Sequence, residues 1–168
     1  MKRFILSAAL MASSFFTHAS VVQFNDKSIV GELEYIDIQE LDTPFLARID
    51  TGANTSSIHA FDVVVEGEQS DSDNMRNHIG HTVSFTTANE LGEESKHTGK
   101  IVKVSRIRNA QGVERRYGVN LTLNWQGEKK EVTVNLRDRS KLNYKLLIGR
   151  NWLEGDYLVD VERSGELD

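Results

Sequence analysis

Apolar residues recur at every second position over most of the chain beyond residue 28, and that period predicts strands. Residues 29–38, "IVGELEYIDI", place Val30, Glu32, Glu34, Ile36 and Ile38 on one face and Gly31, Leu33, Tyr35 and Asp37 on the other. "ELDTP" reads as a turn. Pro44 then opens "FLARI", a short strand with Phe45, Ala47 and Ile49 on one side. Strands resume at "HTVSFTT" and "GKIVKVSRIRN", and the latter turns through Ala110-Gln111-Gly112 into "VERRYGVNLTLNW". There Val119, Leu121, Leu123 and Trp125 form one clean face. "QGE" returns the chain into "KEVTVNL", with Val132, Val134 and Leu136 continuing it. "YKLLIGRNWLEGDYLVDV" reads as a strand, a glycine, a short helical turn and a final strand. The pattern predicts an all-β domain, a small closed barrel with one short helix near the C-terminus.

Residues 66–80, "EGEQSDSDNMRNHIG", interrupt this pattern. They are polar, acidic and poor in β-branched residues, so a mobile loop is expected. The first nineteen residues follow another logic: a basic start (Lys2, Arg3), an apolar run from Phe4 to Phe16, and a small-x-small ending at Thr17-His18-Ala19. That order predicts a secretory signal peptide cleaved after Ala19, leaving residues 20–168 as a single domain in the periplasm or outside the cell. The run is shorter than the ~20 residues a spanning helix needs, and no later run approaches that length, so no integral membrane segment is expected after cleavage.

Composition narrows the field. A net charge of −5 argues against nucleic acid as the main partner. With no cysteine, the chain has neither disulfides nor a thiolate metal site. There is no His-Glu-x-x-His helix. His78 and His81 are three apart in a loop-like stretch and are expected to face solvent. His59 is expected to pack or hydrogen-bond beneath the stretch that precedes it. No metal and no cofactor is expected. The basic residues Lys100, Lys103, Arg106, Arg108, Arg115, Arg116, Arg137, Arg139 and Lys141 could steer an acidic peptide, but they read first as solvent-facing strand and turn positions.

The chemistry concentrates in "FLARIDTGANTSSIHAF", residues 45–61, where an apolar strand ends on Asp50-Thr51-Gly52-Ala53. A carboxylate at a strand end, in a turn tightened by glycine, lies where a substrate can reach it. Asp-x-Gly can equally be an ordinary strand-ending turn. One carboxylate hydrolyses amides poorly, whereas two about 3 Å apart share a proton and act as acid and base on a water. The chain holds no second Asp-Thr-Gly or Asp-Ser-Gly, so a partner carboxylate would come from a second copy across a two-fold axis.

"ARIDTGANTSSIHA" together with "LLIGRNWL" resembles the retropepsin-type aspartic peptidases. It is most similar to their bacterial branch, often labelled ATP-dependent zinc proteases, over roughly residues 30–161. The resemblance implies an aspartic peptidase, active as a homodimer on a peptide or protein substrate. Asp50 would be the catalytic carboxylate, Thr51 the brace between the two loops, and Gly52 the point of close substrate approach. Ala53 and Asn54 would line the binding floor, and Ile148, Gly149 and Arg150 would support the site from behind. In the retroviral members the arginine meets an acid four residues after the aspartate; here Asn54 stands in that place. Residues 66–97 fall where a flap is expected. Some relatives are associated with ligases that add glutamate tails, and cleave such tails. The chain carries no nucleotide-binding or zinc signature to match the branch's label. Taken together, the expectation is an exported aspartic endopeptidase working through an Asp50 pair, with a non-catalytic peptide-binding module on the same fold as the alternative.

Overall fold

The computed structural model describes residues 26–41, 43–67, 74–109 and 112–164. The expected signal peptide, residues 1–19, lies outside the described residues, as do Asp42 in the first turn and Ala110-Gln111 at the expected strand reversal.

The structure is built of strands. Running along the chain they are β1 (Ser28–Val30), β2 (Leu33–Ile38), β3 (Phe45–Ile49), β4 (Ser56–His59), β5 (Phe61–Val65), β6 (Thr82–Ala88), β7 (Glu94–Asn109), β8 (Gly112–Trp125), β9 (Glu128–Arg137), β10 (Leu146–Ile148) and β11 (Tyr157–Val159). A 3-10 turn at Met75–His78 precedes β6, and one short helix, α1 (Arg150–Leu153), follows β10. The large sheet runs β2-β3-β10-β4-β9-β8-β7-β6-β5, and an added pairing of β2 with β8 closes its first six members into a ring. β7, β6 and β5 continue from that ring as an antiparallel meander, while β1 and β11 form a separate parallel pair.

The alternating residues fill the ring. Val119, Leu121, Leu123 and Trp125 on β8, Val132, Val134 and Leu136 on β9, and Phe45, Ala47 and Ile49 on β3 are all buried. Trp152 of α1 stacks on Tyr157 with ring centroids 3.8 Å apart, and Trp125 meets the same tyrosine edge-on at 5.7 Å. The β8–β9 hairpin turns through Gln126 (φ 50) and Gly127 (φ 92). Two successive positive φ values define the type I′ turn, whose twist matches that of the flanking strands.

Residues 29–38 depart from the expected single strand. The chain breaks at Gly31 and Glu32, so β1 joins one sheet and β2 the other. The cause is the C-terminal segment crossing there. Glu32 N–H donates to the Arg163 carbonyl (2.8 Å), and a β-carbon on residue 31 would stand 2.5 Å from that same oxygen. Glu34, buried, spans the break: it accepts from Gly31 N–H (2.6 Å) and from the Trp125 indole (2.9 Å). Within residues 66–97 the strand expected at "HTVSFTT" is present as β6, whereas one histidine of the expected loop leaves solvent. Residues 82–88 and 94–97 are paired strand, and His78, expected in solvent, is buried with Nδ1 2.6 Å from the Tyr117 hydroxyl.

Candidate active site

Asp50 stands where β3 leaves the sheet. Its N–H donates to the Ile148 carbonyl (2.9 Å), extending the parallel β3–β10 ladder by one bond. The chain then turns on the carboxylate. Gly52 N–H donates to Asp50 Oδ1 (2.8 Å) and Ala53 N–H to the Asp50 carbonyl (3.2 Å). A β-carbon on residue 52 would lie 3.1 Å from Asp50 Oδ1, so glycine leaves that oxygen room. Asp50 and Ala53 are half-buried, whereas Thr51, Gly52 and Asn54 are exposed. Asp50 and Thr51 open onto a cavity of about 540 Å³ that Glu32, Arg48, Ile49, Val159 and Val161 also line. Arg48 and Glu32 pair across its wall at 3.1 Å.

Residues from the far end of the chain hold this turn from behind. Arg150 N–H donates to the Ala53 carbonyl (2.8 Å). Gly149 admits no side chain: a β-carbon there would stand 2.8 Å from the Thr55 carbonyl carbon, 2.9 Å from the Ala53 oxygen and 3.0 Å from Ser56 N. The Arg150 guanidinium donates to the Asn54 side-chain oxygen and to the Thr51 carbonyl (3.4 Å), and its Nε lies 3.5 Å from Glu154. The arginine therefore still meets residue 54 although an amide replaces the acid, and its charge is answered by Glu154 one helical turn on.

A polar clasp that the motif spacing did not foretell completes the support. Ser56 donates from both N–H (2.9 Å) and Oγ (3.0 Å) to Asn151 Oδ1, and accepts from Gly149 N–H (3.0 Å). Asn151 Nδ2 donates in turn to the Thr133 carbonyl (2.8 Å), tying the turn to β9. A serine six residues after the aspartate and an asparagine next to the Gly-Arg pair were the available signals; only pairing shows that they meet.

The basic residues also need correction. Arg116 and Arg139 do not face solvent; they are 8% and 5% exposed. Burial, then Arg137 and Arg116, push the Arg139 guanidinium down to about 10, while Asp50 and Glu90 act the other way. His59, at the end of β4, is buried and accepts from Arg139 N–H on Nδ1 (3.0 Å). Burial lowers its affinity for a proton, Asp138 works against that, and Lys145 adds to it.

A ring-closed sheet with an aspartate turn braced by an apolar-apolar-Gly-Arg segment is the architecture of a retropepsin-like enzyme. The chain belongs to the RimB-like family: the family model described as retropepsin-like aspartic endopeptidase RimB matches residues 29–165.

Curated relatives bear a different name. A protein of Parasynechococcus marenigrum named "Probable alpha-L-glutamate ligase" is 31% identical over 146 residues, covering 84% of this chain and 29% of the relative. One of the same name from Shewanella halifaxensis is 30% identical over 145 residues, covering 83% and 30%. The chain thus spans about three-tenths of the length of these enzymes. A crystallised Legionella pneumophila protein of unknown function shares the fold, with a TM-score of 0.66 and 22% identity over 83% of this chain and 97% of its own.

These relatives overturn the expectation of an exported, periplasmic protease. The proteins matching four-fifths of the chain are named probable α-L-glutamate ligases, not proteases. What stands is membership of an enzyme family.

Proposed function

We propose that this chain is an aspartic-type hydrolase of α-glutamyl amide bonds, the kind of bond an α-L-glutamate ligase makes. The observation that carries the reading is the Asp50 turn. Its carboxylate lines a cavity, one oxygen is held by Gly52 N–H, and the turn is braced by Gly149 and Arg150. The family description supports the aspartic chemistry, and the relatives' name supports the glutamyl substrate.

The mechanism needs two carboxyl groups. This chain supplies one Asp-Thr-Gly, and a second copy would supply the other, its exposed Thr51 and Gly52 approaching their counterparts. One Asp50 is then ionised and the other protonated. The ionised carboxylate takes a proton from water as the water oxygen bonds to the amide carbon, and the protonated one gives its proton to the carbonyl oxygen. The resulting diol loses a proton back to one aspartate while the nitrogen receives a proton from the other. The C–N bond breaks, giving a carboxylic acid and an amine, and the acid then yields its proton to the amine.

Incubation with a peptide bearing an α-linked oligoglutamate tail tests this. Shortening of the tail by the wild type, lost in Asp50→Asn, is the expected outcome. An untouched tail, or shortening that survives Asp50→Asn, overturns it.

A further inference from the structure

The β7–β8 ladder sets Val104 opposite Tyr117 and Arg106 opposite Arg115, so these four side chains share one face of the hairpin. The 3-10 turn at Met75–His78 is fixed over that face by three bonds. His78, buried, has Nδ1 2.6 Å from the Tyr117 hydroxyl, Gly80 N–H donates to the Ile101 carbonyl (2.8 Å), and Ile101 N–H donates to the His81 carbonyl (3.0 Å). Arg76, two residues before His78, is thereby brought to the two hairpin arginines. Arg76, Val104, Arg106 and Arg115 together line a cavity of about 260 Å³. The cavity at Asp50 is lined by other residues.

Like charges directly opposite each other on a sheet repel. Here the register sets such a pair side by side and the turn adds a third guanidinium, on a chain whose net charge is −5. Among the described residues, neither Arg76 nor Arg106 makes an ion pair within 4.0 Å. Arg116, on the opposite face of β8, differs: it is buried, with Nη2 2.5 Å from Glu114 Oε2. Arg76, Arg106 and Arg115 are all exposed, so the hollow between them is open to a ligand. Val104, half-buried and packed against the core, gives that hollow an apolar wall.

We propose that Arg76, Arg106 and Arg115 form a phosphate-binding site, which takes the phosphoryl group of a phosphate monoester or the free phosphate ion. A guanidinium presents a rigid planar fork that grips two oxygens through parallel hydrogen bonds. A carboxylate has two oxygens and one charge, too few for three such forks. A phosphate monoester has three terminal oxygens and nearly two negative charges at neutral pH, so it answers all three. Room remains in the cavity, beside Val104, for the first atoms of the group that carries the phosphate. The site binds and takes no part in the chemistry at Asp50.

Calorimetric titration of O-phospho-L-serine and of inorganic phosphate into the full chain, at neutral pH and low salt, tests the site directly. Saturable binding is expected, weakened about tenfold or more by Arg76→Gln and by Arg106→Gln. Arg106→Lys keeps the charge without the fork and gives an intermediate loss. Lys141→Gln, exposed and outside the cavity, changes nothing, which separates a site from net charge. Arg76 and Arg106 are exposed, so both glutamine variants keep the fold, as their melting transitions verify. Tighter O-phospho-L-serine assigns the site to an ester, and equal or tighter phosphate assigns it to the free ion; both support the proposal. No binding of either probe at about 10 mM, equal affinity in the folded glutamine variants, or equal affinity for succinate overturns it.

Discussion

Gly149 lies so close to Ala53 that a methyl group on it would stand 2.9 Å from the Ala53 carbonyl oxygen. The same oxygen accepts the Arg150 N–H at 2.8 Å, so the residue after Gly149 fixes the far side of the aspartate turn. Gly149→Ala must therefore push the turn away from β10. The expected cost is about 1–3 kcal/mol in denaturant unfolding, with loss of any Asp50-dependent activity beyond what the stability change explains.

Arg150 and Asn54 meet through a neutral acceptor. Asn54→Asp would offer a carboxylate in its place and draw the guanidinium from Glu154. Both partners are exposed, so the gain is at most about 1 kcal/mol. Arg150→Ala should cost more than Asn54→Ala, because it also removes the bond to the Thr51 carbonyl. A double-mutant cycle on thermal melts measures the coupling.

Glu34 joins the Gly31 break in the strand pattern to Trp125 of the core. Glu34→Ala leaves a buried indole N–H and a buried backbone N–H without acceptors. A loss of about 2–4 kcal/mol is expected, and Glu34→Gln, which keeps one acceptor oxygen, should recover part of it.

Acid should weaken the fold in two stages. Burial makes His59 and His97 harder to protonate in the folded chain than the ordinary value of 6.5. Below that value the unfolded chain binds more protons, so stability falls as pH drops through 6.5 and levels once the folded imidazoles also protonate. Glu114 is held below its ordinary 4.5, first by its hydrogen bond from Arg116. Its contribution is present above 4.5 and is lost as pH falls through the lowered folded value. Urea unfolding at pH steps from about 8 to about 3 should show both declines. Arg116→Lys should shrink the lower one.

Much of this was legible in the sequence because it depends on local pattern. The inward faces of β3, β8 and β9 follow from a period of two, and the hairpin from Gln-Gly. Asp50, Gly52 and the Leu147-Ile148-Gly149-Arg150 segment were marked by motif, and the structure brings them together. What pattern could not reveal depends on residues far apart in the chain. Gly31 breaks its strand only because Arg163 crosses it. Ser56 and Asn151 are a clasp only once β4 lies beside β10. Arg116 reads as a solvent-facing strand residue until the fold buries it against Glu114. Export was inferred from the basic-then-apolar pattern of the first nineteen residues, which lie outside the described residues and carry no mark of the enzyme family.

The central claim is that Asp50 directs water onto an α-glutamyl amide bond. The most direct measurement is mass spectrometry of an oligo-α-glutamate peptide after incubation with the wild type and Asp50→Asn in ¹⁸O-water, without ATP. The account predicts cleavage by the wild type alone, with one ¹⁸O in each new carboxylate. Intact peptide, cleavage that requires ATP, or cleavage that persists in Asp50→Asn would contradict it.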